Sequence, residues 1–396
     1  MGYAHIIRED PVRRGLLYLG TENALYVSFD DGEQWQPLQL NLPHAPVYGM
    51  VIQEQFNDLV ISTYGRGIFI LDDLSPLQKL TPTVTASNAT LFQPRAAYRF
   101  RDVQLNYTMS DDPTAGENPR YGADINYWLK AAPRSAPTIA ISDSAGKTVR
   151  TIEGTSGAGI NRVYWDLRNE PSKQPRLRTK PLWDEVFELG ADGTRDAPGF
   201  GAISVQLAPG RYTVKLSVDG QSYSQPLEVR KDPHETISDA EMKAGIARLI
   251  TMQGELNSAA DAVNSMESIR VQLQALRTQL ANDRANGDVR VRGDSLEQRV
   301  TALEGQIINL QETGRGQDGV RYGSQAAGQI NYLAGEVAAS DFAPTAQQRA
   351  VHTVLSATVK KNRADLDRFI QIDLAAFNAL LRSKGMKEIV VSAIVF

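Results

Sequence analysis

The sequence predicts a multidomain chain of β and α parts: the last sheets of a partial β-propeller, then a β-sandwich, then an antiparallel helical bundle. Short apolar runs separated by turns fill residues 1–80 and repeat themselves. Strand-like pieces alternate with turns over residues 91–231. Apolar residues at three- and four-residue steps dominate residues 237–384, which is typical of amphipathic helices. These three patterns define the three predicted domains.

Residues 1–80 carry an internal repeat. LYLGT at 17–21 recurs as LVIST at 59–63, and Asp30-Asp31 recurs as Asp72-Asp73, both at an offset of 42 residues. A repeat of about 40–45 residues is the length of one four-stranded propeller blade. The region is long enough for about one and three-quarter blades, whereas a closed propeller needs about four or more. We therefore expect the chain to begin within a ring of blades.

The stretch SFDDGEQW, residues 28–35, is open to two interpretations, a chemical site or a tight turn. Asp30 can accept backbone N–H bonds, Gly32 can adopt a positive φ, and Trp35 can bury a large ring against a neighbouring sheet. These properties favour a structural turn over a general acid, a nucleophile or a calcium loop. Ser28, Asp30, Gly32 and Trp35 are therefore predicted to be structural, and the catalytic residues stay unknown.

The pattern Ser28-x-Asp30-x-Gly32-x-x-Trp35 resembles the Asp-box of sialidase-type, BNR-repeat and sortilin-type propellers, with Gln34 in place of the usual hydroxyl residue. HIIREDP, GLLYLGTENALYVSFDDGEQWQPLQLNLP and STYGRGIFILDDLSPL resemble the last blades of bacterial sortilin-like BNR-repeat proteins, a family often labelled glycosyl hydrolase. The resemblance implies that the box lies at the rim of a blade, away from the ligand-binding pore. It also implies further blades upstream and an extracellular or periplasmic location.

Residues 91–231 are predicted to form an immunoglobulin- or fibronectin-like β-sandwich. Asp143–Gly146 reads as a hairpin turn, and LAPGRYTVKLSVDG is a turn leading into an alternating strand. Residues 169–200, rich in Pro and charge, are expected to form a long surface loop that Trp183 and Phe187 could pack down. A lid over a substrate is the alternative role for this loop.

Residues 237–384 are predicted to form three or four antiparallel helices. Ser238 and Glu241 have the spacing of a capping box, and Thr345 and Gln348 have it again. Asn286-Gly287 is expected to separate two helices of a hairpin, and Gly385 to end the last helix. The apolar stripe favours an intramolecular seam over a docking face for another protein.

A glycosidase needs two facing carboxyl groups, and the first region offers several separate candidates. Tyr64 and Arg66 could line a pore, although the turn residues around Arg66 favour a hairpin, and no Ser/His/Asp elbow occurs. Asp365 and Asp367 cannot share a helix face. No cofactor or metal site is predicted, since the four histidines lack zinc-ligand spacing. The histidines are His5, His44, His234 and His352, and the candidate carboxylates are Glu22, Asp30, Asp31, Asp58, Asp72 and Asp73.

The amino-acid composition excludes several kinds of partner and site. A net charge of −4 with scattered basic residues argues against nucleic acid. The absence of cysteine excludes disulfides and thiolate metal sites, and no apolar run reaches the roughly 18 residues of a membrane span. The N-terminus lacks the features of a signal peptide. The resemblance implies a non-catalytic C-terminal portion of a secreted sortilin-like BNR-repeat protein with a structural or protein-interaction role, whose partner is the missing blades or another subunit. Part of a carbohydrate-active enzyme and a sortilin-like peptide binder are the alternatives.

Overall fold

The computed structural model describes residues 2–101, 119–184, 186–314, 317 and 321–391. The chain forms two compact units, Met1–Arg168 with Pro209–Glu235, and Asn169–Ala208 with Thr236–Phe396. This division differs from the three domains predicted as 1–80, 91–231 and 237–384. The first two predicted domains share one unit, while the segment 169–200 belongs to the helical unit rather than to the sandwich.

The first unit begins with two consecutive antiparallel meanders. The first sheet has four strands and the second has three, and each strand pairs with the one before it. The LYLGT and LVIST segments form the second strand of their respective sheets, so the repeat in sequence is a repeat in structure. The strands are β1 (Ala4–Glu9), β2 (Leu17–Thr21), β3 (Leu25–Ser28) and β4 (Gln36–Pro37), then β5 (Val47–Gln53), β6 (Asp58–Thr63) and β7 (Gly67–Leu71).

These two sheets bury one apolar face each in a common core. The first sheet contributes Tyr18, Leu25 and Val27, and the second contributes Leu59 and Ile61, all of them buried. Strand alternation places each set on a single face, because successive side chains point to opposite sides of a sheet. The two sheets therefore stack through opposite faces of the repeating unit.

The first unit also contains a sheet of three strands and a sheet of five strands. One has the order β13-β10-β8, and the other has the order β12-β11-β16-β17-β9, with β9 parallel to β17. The rings of Trp165 and Tyr212 join the two sheets, with centroids 5.0 Å apart. The elements are α1 (Ser75–Gln78), α2 (Pro82–Ala86), β8 (Ala89–Leu91), β9 (Ala97–Arg99), β10 (Ala123–Leu129), β11 (Thr138–Ser142), β12 (Thr148–Glu153), β13 (Gly159–Trp165), β16 (Gly210–Val218) and β17 (Gln221–Lys231).

The second unit is helical. Both predicted capping boxes are confirmed, at Ser238 and at Thr345, and Gly385 follows the last helix with a φ of 70°. The last helix is interrupted by a π-helical segment, Phe369–Leu374, which the apolar spacing did not predict. The helices are α3 (Asp239–Gln279), α4 (Gly287–Glu304), α5 (Ala326–Ala338), α6 (Ala346–Arg368) and α7 (Ala375–Ser383), and α3 packs against α4, α5 and α6.

The segment 169–208 is tied to helix α3 by hydrogen bonds from polar side chains. Asn169 donates to Gln253 at 2.6 Å, and the Lys173 backbone N–H donates to Asn257 at 2.7 Å. The segment holds the short strands β14 (Arg176–Leu177) and β15 (Arg195–Asp196). Phe187 is buried as predicted, whereas Trp183 is 88% exposed and does not hold the loop down.

A buried ionic network lies between this segment and the helices. Glu267 accepts hydrogen bonds from the Thr179 N–H at 2.8 Å, from the Thr179 hydroxyl at 2.7 Å and from the Arg178 N–H. Arg270 donates to Glu267 at 2.7 Å and to Glu304 at 2.8 Å. Burial, and the nearby Glu267 carboxylate, raise the pKa of Glu304 well above its usual range, which favours the neutral form of Glu304.

A matched pair of amide substitutions tests this network. Four groups donate to the two oxygens of Glu267, and the amide of Glu267→Gln keeps only one acceptor oxygen for them. We therefore expect this substitution to lower the free energy of unfolding by about 3–5 kcal/mol. Because the raised pKa of Glu304 favours its neutral form, Glu304→Gln should replace a neutral group by a neutral amide, and we expect a change below about 1 kcal/mol. Urea unfolding followed by the helical circular dichroism signal measures both variants, and equal losses would contradict this account.

Candidate functional site

Within the first unit, a cluster of charged residues joins the second sheet to the sheet that contains β10. Arg95 donates from Nη1 to the Phe56 carbonyl at 2.8 Å and to Asp58 at 3.1 Å, and from Nε to Asp124 at 3.1 Å. Asp58 also accepts the backbone N–H of Asp73 at 2.9 Å. We call Asp58, Asp73, Arg95 and Asp124 the polar junction. One guanidinium thus neutralises carboxylates from two different sheets.

Asp73 and Asp124 form a buried carboxyl pair in this junction. Asp73 accepts the Ser75 N–H at 3.0 Å and the Asn126 amide at 3.1 Å, and Asp124 is only 4% exposed. Burial first, and then the adjacent Asp124 carboxylate, raise the pKa of Asp73. Burial and the neighbouring carboxylate therefore both favour the protonated form of Asp73 over its ionised form.

An aromatic cleft of about 510 Å³ opens beside the polar junction. The rings of Tyr98 and Phe100 are stacked with centroids 5.7 Å apart, and Phe56 meets Tyr98 edge-on at 6.4 Å. Tyr121 closes the group by donating its hydroxyl to the Phe100 carbonyl at 2.9 Å. The cleft therefore combines apolar walls with the charged residues behind them, a composition typical of ligand sites.

Asp72 is the acidic residue of this cleft that lies outside the polar junction. Among the described residues, no side chain or backbone N–H donates a hydrogen bond to its carboxylate, although Asp58 and Asp124 both have donors. Burial first, and then the Asp58 carboxylate, raise the pKa of Asp72, while Arg95 and Arg162 oppose this shift from further away. Asp72 is thus a partly desolvated carboxylate facing an open cleft.

The structure brings three of the six candidate carboxylates together and leaves three apart. Asp58, Asp72 and Asp73 converge, whereas Glu22 pairs with His5 at 2.5 Å on another part of the first sheet. Asp31 is exposed in a turn with a φ of 60°, and Asp30 belongs to the same turn. Tyr64 is exposed at the turn between β6 and β7, where Gly65 and Gly67 flank Arg66 with positive φ.

The Asp-box residues form a hydrogen-bonded turn. Asp30 Oδ1 accepts the Ser28 hydroxyl at 2.8 Å and the Gln34 N–H at 2.9 Å, and Ser28 Oγ accepts the Gly32 N–H at 2.9 Å. The Gln34 N–H, and then the Ser28 hydroxyl, hold the pKa of Asp30 below its usual value. Trp35 is half-buried and packs beside Gly32, rather than being buried fully against the neighbouring sheet.

Sequence reasoning missed Arg95 and Asp124, which supply the charge balance of the site. Both lie in the predicted sandwich, far in sequence from the carboxylates they meet. The stretch GADINYWL does indicate a buried polar contact, because Asp124 and Asn126 interrupt an otherwise apolar strand. Polar residues in a buried strand need partners, and here the partners are Arg95 and Asp73.

The described residues show neither a cluster of metal ligands nor a helix that could span a membrane. Within the described ranges, no three His, Asp or Glu side chains come together as metal ligands. His352 is buried between helices, where it contacts Glu255 at 2.7 Å and Arg248 at 3.0 Å. Of the helices in the described part of the chain, none combines the length and the apolar character that crossing a bilayer requires.

Comparisons with known proteins relate the chain to no family. No family model matches it, and no curated protein matches it. Among solved structures, the chain is similar to the extracellular domain of a hybrid two-component system from B. thetaiotaomicron, with 11% identity and a TM-score of 0.15. The match covers 58% of this chain and 25% of that chain, so this chain spans a quarter of that structure's length. A TM-score of 0.15 is too low to relate the two folds.

The Asp30 turn gives a pH-dependent prediction. Because the folded-state pKa is lowered, the ionised Asp30 stabilises the fold above the usual aspartate pKa, and this contribution disappears as the pH falls through the folded-state pKa. Asp30→Asn should therefore lower the melting temperature at neutral pH, and the difference from wild type should shrink on acidification. Asp31→Asn, in the same turn, is the control and should change little at any pH. A constant deficit for Asp30→Asn would contradict this account.

Proposed function

We propose that this chain is a structural, protein-interacting portion of a sortilin-like BNR-repeat protein, in which the first two sheets are blades of a β-propeller. The sandwich sheets would then be the immunoglobulin-like module, and the helices an antiparallel bundle that supports it. The family resemblance of residues 1–75 supports this proposal, together with the way in which the two repeated sheets stack.

The stacking is head to tail. Tyr18 of the first sheet is the repeat counterpart of Val60, and Leu17 and Leu19 are the counterparts of Leu59 and Ile61. The Tyr18 face of the first sheet packs on the Leu59 and Ile61 face of the second sheet. The contact therefore joins two different faces of one repeating unit, which is the kind of contact that extends from unit to unit and can close into a ring.

This arrangement leaves one apolar face unpaired on each side of the stack. On the second sheet, Val51 is 57% exposed, Ile68 is 70% exposed and Ile70 is 58% exposed, all on the Val60 face. On the first sheet, Ile7 is exposed beside the half-buried Leu19. Contiguous exposed apolar residues mark protein contacts. The occupant that fits each face is a further sheet of the same repeat.

We propose that this further sheet comes from other propeller blades or from another subunit. The chemistry of the contact is apolar and depends on β-strand geometry, so the partner surface is protein rather than carbohydrate or nucleic acid. An extracellular or periplasmic location belongs to the same proposal, because it rests on the family resemblance alone.

A complementation experiment with the full chain tests the head-to-tail contact. The chain itself carries both faces, so a second copy should serve as partner, and wild type should associate with rising concentration in sedimentation velocity. Ile70→Lys disables the Val60 face and Ile7→Lys disables the Leu19 face, so each variant alone should stay monomeric. A mixture of the two keeps one intact pair of faces and should form dimers that do not grow further.

Val354→Lys, at an exposed apolar position of helix α6, is the matched control and should associate like wild type. Two results would overturn the proposal. One is a wild-type chain that stays monomeric throughout. The other is a single-face variant that still dimerises, because this would mean that identical faces meet.

A further inference from the structure

We propose that the aromatic cleft of the first unit binds an organic cation, and that the alkylammonium group of a lysine side chain on a protein partner is the ligand it fits. This inference goes beyond the sheet stacking proposed above and uses a different surface. The inference rests on the carboxylate of Asp72, on the aromatic side chains that line the cleft, and on the contacts that the neighbouring arginines already make.

Asp72 supplies the charge. A desolvated carboxylate without a donor destabilises the fold, and no hydrogen bond among the described residues offsets that effect at Asp72. Residues that destabilise a fold and make no stabilising contact within it are typical of functional sites. A bound ammonium group would supply the missing donors and the opposite charge together.

The aromatic residues supply the walls. Phe56 and Phe100 are each 43% exposed and line the cleft with Tyr98 and Tyr121. Ring faces attract cations, and their edges pack well against a methylene stem. Lysine has both parts, a four-carbon stem for the rings and an ammonium group for Asp72. A neutral alkyl chain would satisfy only the walls.

The arginines near the cleft already have partners. Arg95 is bound to Asp58, to Asp124 and to the Phe56 carbonyl, and the Arg120 guanidinium lies over the ring of Tyr164 at 5.4 Å. Asp124 adds a carboxylate whose Oδ2 is buried and receives no hydrogen bond from the described residues. Among the described residues that line the cleft, three carboxylates (Asp58, Asp72 and Asp124) outnumber two guanidinium groups (Arg95 and Arg120), and this excess of negative charge favours a cation over an anion.

The size of the cleft agrees with a side chain presented on a larger molecule. Its volume of about 510 Å³ lies within the range of small-ligand sites, which is about 300–1,000 Å³, and exceeds what a single ammonium ion would fill. A lysine side chain with its flanking backbone occupies such a space, whereas a bare metal ion would leave the rings unused.

Isothermal titration calorimetry on the full chain tests this proposal. The probe is Nα-acetyl-lysine-methylamide, and its neutral counterpart is Nα-acetyl-norleucine-methylamide. Wild type should bind the lysine probe, and the norleucine probe should bind about tenfold more weakly or not at all. Asp72→Asn should remove this preference while keeping or raising the melting temperature, because it removes the desolvated charge. Asp31→Asn, an exposed carboxylate in a turn of the first sheet, should bind like wild type.

Three results would overturn the proposal. They are a wild-type chain that does not bind the lysine probe, equal binding of the two probes, and unchanged binding by Asp72→Asn. If the wild-type chain binds an oligosaccharide but not the lysine probe, and Phe56→Ser abolishes binding of the oligosaccharide, the cleft is a carbohydrate site instead. Ile7→Lys and Ile70→Lys leave the cleft intact, so failure of the sheet-stacking proposal would not alter these results.

Discussion

The burial of one face of the first sheet against the opposite face of the second is the constraint on which the N-terminal structure depends. Tyr18, Leu25 and Val27 are buried in a core that they share with Leu59 and Ile61. Since the two sheets are repeats of each other, each sheet also has the face that the other sheet uses in this contact, and these two faces stay uncovered. The apolar contact that stabilises the pair therefore leaves one exposed apolar face on each sheet. Exposed strand edges and apolar faces promote aggregation of a free protein, and the proposed stacking partner would cover them.

The polar junction ties this pair of sheets to the sheet that contains β10, across the predicted boundary between residues 80 and 91. Arg95 lies beyond that boundary, yet it pairs with Asp58 from the second sheet and with Asp124 on β10. Removing Arg95 would leave the buried Asp124 without this counterion, which is destabilising. The junction also positions the aromatic cleft, because Arg95 fixes the Phe56 carbonyl and the carboxylates behind it.

Local signals in the sequence predicted local structure well. The capping boxes at Ser238 and Thr345 are confirmed, and the 42-residue repeat coincides with two strands at equivalent places. Long-range contacts were not predictable in this way. Asn126, which donates to Asp73, is 53 residues away in sequence, and no periodic pattern links the two. The segment 169–200 belongs to the helical unit, yet Glu267, whose carboxylate accepts from the Thr179 backbone N–H, gives no sign of that role within its own helix.

Thiol cross-linking between two copies of the chain tests the head-to-tail contact most directly, because the sequence contains no cysteine. In the existing contact Gly20 lies against Val47, since a Cβ at Gly20 would stand 2.7 Å from the Val47 carbonyl oxygen. The strand registers make Ser62 the counterpart of Gly20 and Ala4 the counterpart of Val47. Mixing Ser62→Cys with Ala4→Cys under mild oxidation should therefore give a mixed disulfide dimer in preference to either homodimer. Equal yields of all three dimers, or none, would contradict the account.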